Sequence, residues 1–476
     1  MGYYIRIILT LTLERIILMS TPTETIIPEI YEIVNFYKPE LVDQIAKDEG
    51  FVQRESTLGG IEFLAIMTYG LFSQPDASLN QMVAMLKDIN PQLQITASGL
   101  HQRINQSGVE FLKKMLSEAL KLSAIKLIDE SIPQLLEHFE KVHLLDSTQI
   151  SLPEELSEIW KGSGGDSSES ALKLQLMLDY KSGAYESIVI TDGIDPDQCY
   201  IDKAVELVGS KELLLDDLGY FKQEAMMDIS EKGSYFLSRY NHKTGLYIQT
   251  EDNLVHFDIF QELKNSIERC IDFCEFGVWF SKNGRQLKIR LIAERVAEDI
   301  AAERRRKANK IAKKKGRTPT EKHLFLLGWN LYVTNIESEI LNGRFARLLY
   351  SLRWQIELVF KSWKSYNGLT EIKGKRPERI ECFMYGRLIL LTIMAFMSNG
   401  IRRHLWNTKK REASFMKIIR HFQVKASKAL SKITNSLSFA DFMFTEFLDA
   451  CRLCPMELRK RPSTLQKIRM IGNVLS

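Results

Sequence analysis

The chain has 476 residues, enough for about two to four domains. Its 45% hydrophobic and 26% charged residues are typical of a globular protein and exclude a disordered, collagen-like or disulfide-scaffold chain. Residues 301–476 carry 36 Lys and Arg against 13 Asp and Glu, so this third is strongly basic although the whole chain has a net charge of only +4. The asymmetry favours a polyanionic partner, either nucleic acid or an anionic membrane surface.

Residues 1–18 are predicted to be a non-native leader. Arg6, Glu14 and Arg15 interrupt their apolar run, and no small-residue cleavage site follows, so neither a signal peptide nor a membrane span is indicated. We expect translation to start at Met19.

Residues 19–138 have helical periodicity broken by Pro and Gly, which predicts a helical N-terminal domain. Within it, the segment Thr96–Asn105 could open a recognition helix capped by Ser98. This helix could contact DNA, or the domain could be a packing module only.

Residues 139–240 change to a strand pattern, the first part of a predicted catalytic core. A turn over residues 181–183 predicts a hairpin, and a helix is expected after Pro196. Hairpin-linked strands followed by helix-separated strands predict a mixed five-stranded α/β sheet flanked by helices. The predicted strands are Val142–Leu145, Leu172–Leu178, Ser187–Ile190, Leu213–Leu215 and Tyr235–Leu237.

Residues 241–335 are predicted to be a β-rich insertion, with strand signals near 246–249, 278–280, 287–292 and 324–334. Residues 303–322 contain ten Lys and Arg against two Glu. Such a run is either a solvated face or a surface that contacts phosphate.

Residues 336–400 are expected to form the second, helical part of the core, and residues 401–476 a basic helical C-terminal region. The apolar run 388–397 is too short for a membrane span and is bounded by arginines, which favours a buried helix and no membrane partner. Six cysteines without a complete zinc-ligand set or a secretory signal favour reduced structural cysteines and the cytoplasm.

Two carboxylates are expected at strand ends. Asp146 follows the first strand and Asp217 the fourth, so the two can meet at one edge of the sheet, where a pair of oxygen donors suits Mg²⁺. Asp216 is the competing neighbour, which alternation places on the opposite side of its strand. A single aspartate at a strand end is usually a cap or turn residue.

A helix near residue 350 presents two distinct faces. At 100° per residue, four polar groups fall on one narrow stripe, namely Tyr350, Arg353, Glu357 and Lys364. Five apolar residues fall together on a different side of the same helix and predict its core face. They are Leu349, Leu352, Ile356, Val359 and Trp363. Read alone, the stripe could also be an ordinary amphipathic helix with an Arg353–Glu357 ion pair.

The spacing Tyr350-x2-Arg353-x3-Glu357-x6-Lys364 resembles the Y-R-E-K signature of bacterial insertion-sequence DDE transposases of the "IS-four" group. Asp146-Ser-Thr is similar to the first aspartate motif of that family, and Asp217-Leu-Gly-Tyr-Phe to the second. The motifs occur in the family's order, with a β-rich insertion before the glutamate. The resemblance covers roughly residues 30–400.

The resemblance implies an RNase H-like core in which Asp146, Asp217 and Glu357 hold two Mg²⁺ ions, with Mn²⁺ as a substitute. Such a pair of ions can activate an attacking oxygen and stabilise the leaving oxygen of a phosphodiester.

The resemblance also implies DNA contacts. Tyr350, Arg353 and Lys364 would hold phosphates at the transposon end. Trp329 would stack on a flipped base or would instead be a core residue, and Arg239 would be a basic DNA contact; Trp354 is expected in the core.

The implied function is cut-and-paste transposition in the bacterial cytoplasm at the nucleoid. The expected partners are double-stranded DNA, as terminal inverted repeats and as target, and a second copy of the chain in a homodimer on paired ends. Two alternatives are an RNase H-fold nuclease without strand transfer and a non-catalytic DNA-binding repressor derived from a transposase.

Overall fold

A computed structural model describes residues 27–53, 58–122, 133–164, 168–251, 253–370, 374–457 and 464–475. The predicted leader and the start at Met19 lie outside these residues. The chain divides into two compact units. The helical unit comprises Met1–Ser131, Thr148–Ile194 and Glu357–Leu458, and the sheet unit comprises Ile132–Ser147, Asp195–Ile356 and Arg459–Ser476.

The described residues form ten strands in a mixed α/β fold. They are β1 (Val142–Ser151), β2 (Ala171–Asp179), β3 (Tyr185–Asp192), β4 (Leu213–Asp216), β5 (Tyr235–Arg239), β6 (Tyr247–Gln249), β7 (Leu254–His256), β8 (Phe273–Lys282), β9 (Arg285–Arg295) and β10 (Trp329–Thr334). In the sheet unit the hydrogen-bonded order is β1-β4-β5-β10-β9-β8-β6-β7.

Three parallel strands form one end of the sheet in the sheet unit. The first four residues of β1 pair in parallel with β4, from Val142↔Leu213 to Leu145↔Asp216, and β4 pairs in parallel with β5. All four residues of β4 are buried, as expected for a parallel strand covered on both faces.

The expected number of five strands was wrong, because the sheet is larger. β10 pairs antiparallel with β5 and with β9, so the strands of the insertion continue the same sheet. The physical reason is that β5 would otherwise be an edge with unpaired backbone groups next to an apolar face, and β10, buried at all six positions, covers that edge.

Two predicted strand boundaries also differ. Residues 324–326 belong to a helix, because the Thr320 side chain accepts a hydrogen bond from the His323 backbone and opens that helix instead of a strand. β1 does not end before Asp146 but continues to Ser151. Asp146 therefore lies inside the strand, just past the last residue that pairs with β4.

The sheet unit also contains helices, of which Gln223–Glu231 and Ala346–Tyr350 pack on the sheet. The helices of this unit are Gln134–Glu137, Ile201–Leu207, Gln223–Glu231, Ile259–Glu268, Glu298–Lys314, Glu321–Leu326, Ala346–Tyr350 and Thr464–Leu475. The helix after Pro196 confirms the prediction, and most of the basic run 303–322 is the exposed helix Glu298–Lys314.

The helical unit contains the hairpin of β2 and β3 together with most of the helices. The hairpin is antiparallel as predicted, and Gly183 in its turn has φ +70, a conformation that favours glycine. The helices are Ile27–Phe36, Pro39–Asp48, Gly60–Ala65, Leu71–Ser73, Leu79–Ile89, Ala97–Arg103, Gln106–Leu122, Pro377–Lys409, Phe415–Val424, Ala426–Leu430 and Ser436–Leu453. The helix Trp354–Tyr366 begins in the sheet unit and continues in the helical unit from Glu357.

The helix expected within the segment Thr96–Asn105 is present but is capped differently. It spans Ala97–Arg103, and its N-cap is Thr96, whose side chain accepts a hydrogen bond from the Gly99 backbone. Ser98 is therefore inside the first turn. The cap moves to Thr96 because that residue has the extended backbone an N-cap requires.

The long helix Pro377–Lys409 is the centre of the helical unit. Its apolar segment is long enough to cross a membrane by length and composition, but 89% of that segment is buried within the protein. The helix packs against Gln106–Leu122 and against the π-helical turn Ile66–Gly70. These contacts agree with the predicted buried helix over 388–397.

Gly386 is the point of closest approach in this packing. A Cβ added there would lie 2.8 Å from the Met67 Cβ and closer still to the Met67 carbonyl oxygen. We expect Gly386→Ala to lower the free energy of unfolding by about 1–3 kcal/mol through overpacking, measured by urea unfolding. Gly99→Ala, in a helix with room for the methyl group, is the control and should be neutral or stabilising. Equal stability of both variants and wild type would contradict this contact.

Candidate active site

Asp146 and Asp217 are placed by the two adjacent parallel strands β1 and β4. Asp217 immediately follows β4 and opens a short 3₁₀ turn, as predicted. The Asp146 side chain is 17% exposed and that of Asp217 is 44% exposed. The sheet unit therefore offers one shielded and one accessible carboxylate.

Arg353 joins these two carboxylates. Its guanidinium donates a hydrogen bond of 2.6 Å from Nη1 to Asp146 Oδ2, and its Nε lies 4.0 Å from Asp217 Oδ1. The Arg353 side chain is only 14% exposed, so the ion pair is largely shielded from water. Two carboxylates that lie far apart in the sequence thus converge on one cationic group.

Tyr350 holds the segment that carries Arg353 against the sheet. Its hydroxyl donates to the backbone carbonyl of Asp216 at 3.0 Å, and its ring packs against Tyr332. Tyr350 is 8% exposed, so its hydroxyl is engaged within the protein. The Arg353 guanidinium lies 6.0 Å from the Tyr350 ring centroid.

The helix near residue 350 is not continuous. Ala346–Tyr350 is followed by a 3₁₀ turn, Ser351–Arg353, and then by the helix Trp354–Tyr366. The predicted core face is confirmed, because all five of its residues are buried. Trp354 was expected in the core, but it is 55% exposed. The helical period itself places Trp354 away from the core face, because four residues beyond Tyr350 bring it to the polar side of the helix.

Glu357 and Lys364 lie on the helix Trp354–Tyr366, in its first and last turns. Both side chains are partly buried, and burial lowers the pKa of Lys364 below its ordinary value. They stand one and three turns beyond Arg353 along the chain. Among the described residues, no three His, Cys, Asp or Glu side chains are grouped so that they could hold a metal ion.

Asp216 is buried beside Asp217, and burial is the main reason why its pKa is raised to about 7, from an ordinary value of 3.8. A hydrogen bond with Ser238 opposes this effect, and the negative charge of Asp217 adds to it.

Because the folded protein holds the Asp216 proton more tightly than the unfolded chain does, the free energy of unfolding should fall as pH rises from about 4 to about 7. We expect Asp216→Asn to remove this pH-dependent decrease in the free energy of unfolding, which amounts to at most about 4 kcal/mol. Urea unfolding at pH 5 and pH 8 measures the difference. A variant with the same pH dependence as wild type would contradict this assignment.

Arg239 and Trp329 lie toward the same end of the β5–β10 pairing, because the two strands are antiparallel and the C-terminal end of β5 is directed toward the start of β10. Arg239 is exposed at the end of β5 and pairs across the strands with Tyr332. Trp329 begins β10 and is 3% exposed, so its ring is not presented to solvent. The Trp329 backbone carbonyl accepts a hydrogen bond from Arg304.

Two further arginines near this region were missed by the sequence analysis as individual residues. Arg304 donates to Asn330 Oδ1 at 2.9 Å, and Arg347 forms a partly exposed ion pair of 3.5 Å with Glu294. Arg347 stands three residues before Tyr350, on the same side of that helix, and this spacing is the signal that could have identified it.

The cysteines in the described residues are free thiols. Cys451 and Cys454 are buried, and burial raises the pKa of both. A raised pKa disfavours the thiolate that metal binding and redox chemistry require.

The two carboxylates lie where the parallel pairing of β1 with β4 ends, and oxygen ligands of this kind can hold the metal ions that enzymes use on phosphodiesters. Residues 137–393 match the family described as Transposase DDE domain, and the chain belongs to this family as an insertion-sequence DDE transposase. The predicted family and enzyme class are thereby confirmed.

Curated relatives are similar over most of their length. The chain is 29% identical to the transposase for insertion sequence element IS231F of Bacillus thuringiensis subsp. israelensis, covering 83% of this chain and 85% of that protein. It is 30% identical to the transposase for insertion sequence element IS1151 of Clostridium perfringens, covering 76% and 79%. Among solved structures, a piggyBac transposase synaptic complex with hairpin DNA matches with a TM-score of 0.42 and 9% identity over 94% of this chain and 87% of that one.

Proposed function

We propose that the protein excises and inserts its element by Mg²⁺-dependent cut-and-paste transposition. Water would attack the phosphodiester at each transposon end, and the freed 3′-hydroxyl would attack the opposite strand to give a hairpin. The hairpin is reopened by hydrolysis, and the 3′-hydroxyl then joins target DNA. Each step either exchanges one phosphodiester bond for another or hydrolyses one to a 3′-hydroxyl and a 5′-phosphate, so no external energy source is needed.

Asp146, Asp217 and Glu357 are the proposed ligands for two Mg²⁺ ions, with Mn²⁺ as a substitute. The observation that carries this proposal is the convergence of Asp146 and Asp217 on one guanidinium, since carboxylates that share one cation fit the oxygen-rich ligand set of Mg²⁺. When bound, the ions would activate the attacking oxygen and stabilise the leaving oxygen. Glu357 is included as the third ligand because it matches the glutamate of the family motif.

An RNase H-like core is part of this proposal. It is supported by the parallel strands β1, β4 and β5 in the sheet unit and by the antiparallel hairpin of β2 and β3 in the helical unit. Aspartates at the carboxyl ends of such strands are at the edge where α/β folds bind ligands.

Several cations are proposed to hold the DNA. Arg353 suits bidentate phosphate binding and Lys364 a point-charge contact, with Tyr350 fixing the position of Arg353. Arg239 and the exposed residues of the helix Glu298–Lys314 would contact the backbone more widely. Because the Trp329 ring is buried in this structure, we propose that it stacks on a flipped base only after this first residue of β10 separates from its neighbours.

The proposed working form is a homodimer on paired ends, since two inverted repeats must be held together before joining. The proposed location is the bacterial cytoplasm at the nucleoid.

Pre-cleaved transposon ends test the proposal against a nuclease without strand transfer. With supercoiled target DNA and Mg²⁺, we expect wild-type protein to join the ends to the target, and EDTA to abolish joining. Hydrolysis of intact ends without joining would favour the nuclease, and end binding without any cleavage would favour the repressor. Gel analysis of labelled ends separates the three outcomes.

A further inference from the structure

We propose that Arg353 is the internal counter-ion of Asp146 and that it must leave this carboxylate before a divalent cation binds there. The inference rests on the proposed metal-binding role of Asp146 and Asp217. It gives one residue two partners in turn: the Asp146 carboxylate in the free protein, and a DNA phosphate in the loaded one.

The geometry of the ion pair carries the first half of this proposal. The guanidinium is within hydrogen-bond distance of Asp146 and faces Asp217 from 4.0 Å, so it lies where a cation shared by both carboxylates would lie. A divalent cation and a guanidinium at the same carboxylate repel each other, and low solvent exposure leaves little water to screen that repulsion. Occupancy by one therefore disfavours occupancy by the other.

The chemistry of the guanidinium carries the second half. A guanidinium released from Asp146 can bind the phosphate of a DNA end, which supplies two acceptor oxygens in the geometry that the planar fork prefers. DNA binding would then release Asp146 for the metal. Because binding linkage is reciprocal, metal binding would strengthen DNA binding by the same factor.

The consequence is protection against untimely cleavage. Without a DNA end, Arg353 keeps the Asp146 carboxylate neutralised, so the free protein binds divalent cations poorly. Asp217 is more exposed and farther from the guanidinium, so it stays accessible as a weak single ligand.

The first test measures Mn²⁺ binding to the DNA-free full-length protein by electron paramagnetic resonance. We expect Arg353→Gln to bind Mn²⁺ at least about tenfold more tightly than wild type, within the usual range of coupling between sites. Arg347→Gln is the matched control: it removes the same charge from the same unit at an arginine paired with Glu294, and its effect should be under about twofold. Equal or weaker Mn²⁺ binding by folded Arg353→Gln would overturn the proposal.

A double variant separates this inference from the proposed function. Adding Asp146→Asn to Arg353→Gln should remove the gained Mn²⁺ affinity. If the gain persists, the ion binds elsewhere, and the assignment of Asp146 as a metal ligand fails together with the inference. If Asp146→Asn alone abolishes Mg²⁺-dependent cleavage while Arg353→Gln leaves Mn²⁺ affinity unchanged, only the counter-ion role fails.

The second test does not require Arg353→Gln to fold. Removing the Asp146 charge frees Arg353 for phosphate, so Asp146→Asn should bind an inverted-repeat duplex in EDTA several-fold more tightly than wild type. Asp197→Asn is the control, because it makes the same charge change at a neighbouring aspartate that accepts a hydrogen bond from Ser147. Equal gains in both variants would mean a general charge effect and would overturn the proposal.

Discussion

Asp146→Asn, Asp217→Asn and Glu357→Gln are each expected to lower the rate of Mg²⁺-dependent cleavage at the transposon ends by at least about a thousandfold, which corresponds to about 4 kcal/mol of transition-state stabilisation. The reason is that each change replaces an anionic oxygen ligand with a neutral amide, which binds a hard divalent cation far less well. A gel assay on supercoiled donor DNA carrying both inverted repeats measures the rate.

End binding should survive in the same variants, because the phosphate contacts come from cations and the substitutions reduce negative charge near the DNA. Asp202→Asn is the control: this aspartate is exposed in the sheet unit and pairs with Lys222, and its loss should leave cleavage near the wild-type rate. Cleavage at more than about a tenth of the wild-type rate by any of the three variants would contradict its role as a metal ligand.

The second large effect is expected at a buried ion pair in the helical unit. Glu29 and Arg403 pair between the helices Ile27–Phe36 and Pro377–Lys409, with the side chains 0% and 5% exposed. Burial lowers the pKa of Arg403 to about 10. Arg403→Met should lower the free energy of unfolding by about 3–5 kcal/mol, because it leaves the Glu29 carboxylate buried without its cation. Chemical denaturation followed by circular dichroism measures the loss.

Replacing both partners is the control for this prediction. Glu29→Leu combined with Arg403→Met removes both charges and should recover most of the lost stability, since apolar side chains can fill the same space. If the single variant is as stable as wild type, the pair does not contribute in the way that its burial indicates.

Local sequence signals predicted much of the fold. The hairpin of β2 and β3, the helix after Pro196 and the buried face of the helix near residue 350 follow from alternation, turn residues and helical periodicity, which depend on neighbours a few residues apart. Asp217 was also placed correctly after its strand, because β4 is short and ends in a change from apolar to polar residues.

Other features depend on partners far along the chain. Asp146 lies within β1 because the strand continues past its pairing with β4. The polar residues that follow Leu145 instead predict the end of the strand there. The pairing of β5 with β10 joins segments about 90 residues apart, and sequence spacing alone does not indicate it.

The active site shows the same division. Motif spacing singled out Asp146, Asp217 and Arg353 as candidates, but the partners it offered for Arg353 were DNA phosphate and Glu357. The contact between Arg353 and Asp146 joins residues 207 positions apart and became visible only in the folded chain.

The most direct test of metal binding by these carboxylates is replacement by a softer ligand. Asp146→Cys and Asp217→Cys should each be inactive with Mg²⁺, which prefers oxygen, and should regain part of their cleavage activity with Mn²⁺, which tolerates sulfur better. Cleavage of labelled transposon ends, with fold and end binding verified for each variant, gives the answer. Full activity of the cysteine variants in Mg²⁺, or the absence of any Mn²⁺ recovery in variants that fold and bind DNA, would contradict the account.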